Sequence, residues 1–122
     1  MIQATELRIG NYLTYHTPDD TDMPCKIDAQ DILNISTNHM HNAEIHSPIP
    51  LTEEILLKCG FEIDYHIGDD VNFTIGNIDI RKRSGMDYYV FYNKETQVRI
   101  LHIHQLQNLY WCLCGKELEV NL

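Results

Sequence analysis

An α+β fold is predicted by three observations. Apolar residues alternate between Val71 and Ile103 and are broken at intervals by turn residues. A helical stripe follows directly after His104. A short, well-capped helix is signalled after the Ser47-Pro48-Ile49-Pro50 segment. Strand-period segments joined by tight turns, flanked by 3.6-period segments, give an antiparallel sheet with helices packed on it. With 122 residues, the expectation is a single α+β domain spanning 1–122, with a β-rich subregion at 5–47 and helix, meander and helix at 48–122.

Taken in order, residues 7–15 alternate well enough for a first strand, with Gly10-Asn11 as a bulge or tight bend. The acidic stretch Thr17 to Pro24 reads as an exposed loop. Short β segments are expected around Cys25 to Ile35 and Ala43 to Ile45, so that residues 5–47 make a small antiparallel sheet or partial barrel. The two prolines hold residues 47–50 extended. Thr52 then serves as an N-cap, Glu53 and Glu54 favour the positive end of the helix dipole, and Gly60 with Phe61 ends the helix.

The meander is the clearest part of the pattern. Val71, Phe73 and Ile75 alternate, Gly76-Asn77 interrupts, and Ile78 and Ile80 resume in the opposite parity. A two-residue turn places Ile75 opposite Ile78 and Phe73 opposite Ile80. A turn at Ser84 to Asp87 brings Ile80 beside Phe91, and Asn93 to Thr96 leads into a fourth strand. The closing helix carries Leu106, Leu109, Tyr110 and Leu113 on one stripe, leaves Gln107 off it, and stops at Gly115. It is expected across the apolar face of a four-stranded antiparallel meander.

Charge narrows the function classes. The net charge is −9, and residues 1–77 carry three basic against 13 acidic side chains, whereas residues 78–104 carry five basic against three acidic. A negative field repels phosphate backbones at long range, which argues against duplex DNA and anionic membranes. No apolar run approaches the roughly 20 residues needed to cross a bilayer, and the first residues lack a secretory pattern. A cytoplasmic location is the expectation. The four cysteines, Cys25, Cys59, Cys112 and Cys114, then read as reduced, buried thiols.

Three blocks, Glu6-Leu7-Arg8-Ile9-Gly10-Asn11, Pro48-Ile49-Pro50-Leu51-Thr52-Glu53-Glu54 and His104-Gln105-Leu106-Gln107-Asn108-Leu109-Tyr110, resemble a family of small uncharacterised bacterial and prophage-associated proteins. The resemblance implies a phage or mobile-element setting and carries over no activity and no catalytic residue.

Seven histidines invite a metal reading, above all His102 with His104 and His39 with His41. A zinc site needs four converging ligands, or three plus water, and neither pair has a cysteine or carboxylate at a recognised spacing. Asp19, Asp20 and Asp22, with Asp69 and Asp70, lack the glycine and distal glutamate of a calcium loop. The sequence contains no phosphate-binding glycine loop, no Gly-x-Ser-x-Gly elbow and no His-Glu-x-x-His pair. No catalytic residue, metal or cofactor is therefore expected. What remains is the outer face of the meander, where Arg81, Arg83, Tyr88, Tyr92 and Arg99 fall on one side together with Val90. The preferred expectation is a non-enzymatic binding module acting through an unidentified protein partner. The alternative is a binder of single-stranded nucleic acid or nucleotide through those five side chains.

Overall fold

A computed structural model of the chain describes residues 2–19, 21–37, 45–93 and 96–122. It is an α+β protein with a three-stranded and a five-stranded antiparallel sheet and three α-helices. The chain divides into two compact units, one formed by Met1–Pro50 with His102–Glu117, the other by Leu51–Leu101 with Leu118–Leu122.

In the first unit a 3-10 turn at Ala4–Glu6 precedes β1 (Tyr12–His16), β2 (Asp22–Lys26), α1 (Ala29–Ser36) and β3 (His46–Ser47), and the sheet order is β2-β1-β3. The Thr17 hydroxyl accepts from the Thr21 amide at 3.0 Å and donates to the Thr21 carbonyl at 2.8 Å, so the acidic stretch is shorter than expected and Asp22 to Pro24 already belong to β2. Pro24 is tolerated there because β2 is an edge strand, facing Thr14 of β1 on its paired side only. The β segment expected between Cys25 and Ile35 is half helix. Asp28 accepts from the Asp31 amide at 2.9 Å while its own amide donates to the Asp31 carboxylate at 3.0 Å, and this reciprocal cap starts α1. Leu13, Ile27 and Ile35 join Ile2 in a buried cluster backed by Ala4, Leu7, Cys25 and Ile32. The strand expected at Ala43 to Ile45 and the histidine pair His39 and His41 lie outside the described residues, Ile45 apart.

The first unit is completed by α3 (Ile103–Cys114), which packs against β1. The helix expected on the meander thus belongs with the N-terminal sheet. Its buried stripe is also rotated from the expected one: Ile103, His104, Leu106, Gln107 and Tyr110 are buried, Leu109 is half-buried and Leu113 is 45% exposed. The reason is polar. The Gln107 side chain accepts from the Tyr12 amide at 2.8 Å and donates to the Gly10 carbonyl at 3.1 Å, so an amide expected off the buried stripe is buried with its donor and acceptor both matched. Cys112 and Cys114, in the last turn, are exposed free thiols, against expectation.

The second unit contains α2 (Glu53–Lys58) and the strands β4 (Glu62–Ile67), β5 (Asp70–Ile75), β6 (Ile78–Lys82), β7 (Tyr89–Asn93) and β8 (Thr96–Ile100), in that order across one antiparallel sheet. Thr52 caps α2 by accepting from the Ile55 amide at 3.2 Å. Gly60, at φ 99°, lets the Phe61 amide turn back to the Leu56 carbonyl at 3.1 Å. The register is the expected one, with Ile75 opposite Ile78, Phe73 opposite Ile80 and Ile80 opposite Phe91. Phe73, Ile80 and Phe91 are all buried, which fixes that face as the inner one. The meander gains a fifth strand, β4, at its edge. Its side chains are mostly exposed, Ile67 by 70%, so the burial that makes alternation diagnostic is missing there.

Candidate ligand-binding face

Strand parity builds the face. Arg81 on β6 stands opposite Val90 on β7, and Val90 stands opposite Arg99 on β8. Tyr88 and Tyr92 lie two residues to either side of Val90, so both point to the same side of the pleat. Arg83 follows Arg81 by two residues just past the end of β6. All five expected side chains therefore share the outer face of the five-stranded sheet.

The side chains touch in pairs. The Arg99 guanidinium lies 4.8 Å from the Tyr88 ring centroid, Arg81 lies 4.9 Å from Tyr92, and Arg83 lies 5.8 Å from the same ring. Cations over tyrosine faces are attracted by the ring quadrupole. Among the described residues, none of the three guanidiniums has a carboxylate within ion-pair distance. Arg83 and Arg99, which are exposed, therefore present N–H groups to an anion.

A concave site of about 350 Å³ is lined by Arg83, Met86, Tyr88, Val90, Tyr92, Gln97 and Arg99. Four of the five expected residues line it. Arg81 does not: it is half-buried between Tyr92 and Tyr65, 5.7 Å from the latter ring, and its Nε is buried without a hydrogen-bond partner. Its geometry is that of a support holding Tyr92. Tyr65 escaped the sequence reading because it lies on β4, whose mostly exposed side chains gave no strand signal, and the register shift between Ile63 and Tyr65 breaks parity there as well. Gln97 was findable, since it precedes Arg99 by two residues and pairs with Tyr92. Met86 sits in the turn between β6 and β7, where parity carries no information.

The weak metal candidates sit elsewhere. His102 and His104 stack face to face, with centroids 5.7 Å apart and planes 8° from parallel. His104 Nε2 is 3.2 Å from a Glu6 carboxylate oxygen, and its Nδ1 is buried without a partner. Burial pushes the His104 imidazole below the usual histidine range, with Glu6 offsetting only part of the effect. Burial lowers His102 likewise. Among the described residues, no group of three or more His, Cys, Asp or Glu side chains is placed to hold a metal ion. Of the acidic residues, Asp70 accepts from the Ser84 amide at 2.9 Å and Asp69 from the Ser84 hydroxyl at 3.3 Å, so both brace a turn.

Two of the blocks that carry the family resemblance bond to each other. Asn11 is fully buried; its Oδ1 accepts from the Arg8 amide at 2.7 Å, and its Nδ2 donates to Asn108 at 2.9 Å. Asn108 donates in turn to the Glu6 carbonyl at 3.0 Å. Arg8 forms a two-pronged ion pair with Glu117, one prong at 3.0 Å, and lies 4.9 Å from the Trp111 ring. The hydrogen bond and charge of Arg8 hold the Glu117 carboxyl below the usual range. Comparison with family models, with curated proteins and with solved structures returned no match. Among the described residues, no helix is long and apolar enough to cross a membrane.

Proposed function

We propose that the chain is a binding module whose ligand surface is the Arg–Tyr face of the five-stranded sheet, and that its ligand is single-stranded nucleic acid. One observation carries the reading. Guanidiniums with no carboxylate partner among the described residues share a concave site with half-buried tyrosine rings, which is the pairing that grips phosphates while bases stack. The −9 net charge favours a short local contact over long-range attraction.

The test is a fluorescence-anisotropy titration with a labelled oligothymidylate at low and near-physiological salt. Saturable binding is expected, weakening with salt at a logarithmic slope of about −1.4 if two phosphates are engaged. Replacing Arg83 and Arg99 together by Ala should flatten the slope without lowering the unfolding midpoint. Absence of saturable binding at low salt rejects the reading.

The acidity of residues 1–77 favours a second reading, in which the module docks on a protein and the Arg–Tyr face grips its carboxylates. Competition by a polyglutamate peptide but not by the oligonucleotide would select it. A cytoplasmic, phage or mobile-element setting belongs to the same proposal, and its support is the resemblance of the three sequence blocks.

A further inference from the structure

The three-stranded sheet carries a second arrangement of chemical interest. His16 of β1 stands directly opposite Asp22 of β2, and Thr14, two residues earlier on the same face, stands opposite Ser47 of β3. The pleat therefore turns Asp22, His16 and Ser47 to one side, away from the face on which Leu13 is buried. His16 Nδ1 lies 2.7 Å from Asp22 Oδ1, and His16 Nε2 lies 2.7 Å from Ser47 Oγ. A carboxylate only accepts, so it takes the Nδ1–H. The Nε2 lone pair of the neutral ring is thereby left facing the serine hydroxyl.

We propose that Ser47 is an acyl-accepting nucleophile, with His16 as its general base and Asp22 as a positioning residue. The contact order along the relay is that of a serine hydrolase, which is recognised by geometry and role and not by sequence spacing. Side-chain exposure of 36% at His16 and 57% at Asp22 leaves the group open to a small ester. The register also sets the Thr14 hydroxyl across from Ser47 on the same face, as a donor toward the oxygen that becomes negative.

In the reaction, Ser47 Oγ bonds to the ester carbonyl carbon while its proton passes to His16 Nε2. The bond from that carbon to the leaving alcohol breaks, and the alcohol departs with the proton. Water then attacks the acyl-serine, again giving its proton to His16. The carboxylic acid leaves and Ser47 is restored.

The full-length chain should be treated with a fluorophosphonate probe, in which Ser47 Oγ bonds to phosphorus and fluoride departs, and the adduct should be located by peptide mass spectrometry. The expected result is one adduct, on Ser47. His16→Gln should slow its formation by about 100-fold. Asp22→Asn should slow it by about tenfold or more, and Asp22→Glu should restore it, which a merely structural loss would not do. An unlabelled Ser47 in the wild-type chain overturns the proposal, as does a labelling rate unchanged in folded His16→Gln. Where a substitution unfolds the chain, the wild-type adduct decides alone.

Discussion

Two polar regions of this molecule behave in opposite ways. Around Asn11, Gln107 and Asn108, side-chain amides are buried or, for Asn108, half-buried, and are matched to backbone donors and acceptors. On the outer face of the five-stranded sheet, Arg83 and Arg99 are exposed, have no carboxylate partner among the described residues, and touch only tyrosine rings. A satisfied polar group fixes structure, because removing it strands a buried partner. An unsatisfied exposed group is free to bind. Polarity by itself distinguishes neither role, and both regions looked equally hydrophilic in the sequence.

The largest expected effect falls on the satisfied side. Gln107→Leu leaves the Tyr12 amide and Gly10 carbonyl without their partner, and should cost about 2 to 6 kcal/mol at roughly 1 to 3 per stranded group. Leu106→Ala should cost a similar amount through its cavity. Urea midpoints at constant slope would check both, and a loss below about 1 kcal/mol for Gln107→Leu would break the comparison. The Arg83→Ala and Arg99→Ala changes should stay within about 0.5 kcal/mol.

Stacking gives the next effect. If bases rest on Tyr92, Tyr92→Ala should weaken oligonucleotide binding by about 5- to 150-fold, while Tyr92→Phe keeps most of it. Equal losses in both variants would point to the hydroxyl and not to the ring.

Acidification acts on the buried region. His104 is buried with its folded-state pKa depressed, so the unfolded chain binds the extra proton first. Stability should be intact above the unfolded value of about 6.5 and should fall as the pH drops below it, at up to about 1.4 kcal/mol per pH unit for one proton. His104→Gln should remove the His104 share of that slope in pH-dependent urea unfolding and leave the share of His102, which burial also lowers. The smallest effect is expected at Arg8 and Glu117, an exposed pair, where Glu117→Gln should cost under about 1 kcal/mol in the same assay.

What could be read from the sequence was local. Gly76-Asn77, Thr52 and Gly60 act within a few residues of themselves, and so the meander register and α2 followed from turn and cap chemistry. The helix α1 was also locally marked, by Asp28 and Asp31, but an aspartate in place of the usual glutamate hid the reciprocal cap. Five site residues fell together because parity survives across tight turns, and Tyr65 was lost because the exposed strand β4 leaves no burial pattern in the sequence. The Asp22, His16 and Ser47 relay spans six and then 31 positions. Only strand pairing brings it together, and no motif spacing announces it.

The first unit is written in two pieces, with Leu51–Leu101 between them. Where the chain leaves and returns, Pro50 bridges His102, and the Ile103 amide bonds to the Ile49 carbonyl at 3.0 Å. During synthesis the first 50 residues emerge early, yet Gly10 and Tyr12 wait for an amide encoded 95 or more positions later. The inserted sheet, built from neighbouring hairpins, needs no such wait. The ribosome thus delivers the whole five-stranded sheet before the first unit can close through Gln107, and the tail Leu118–Leu122, which belongs to the second unit, follows last of all.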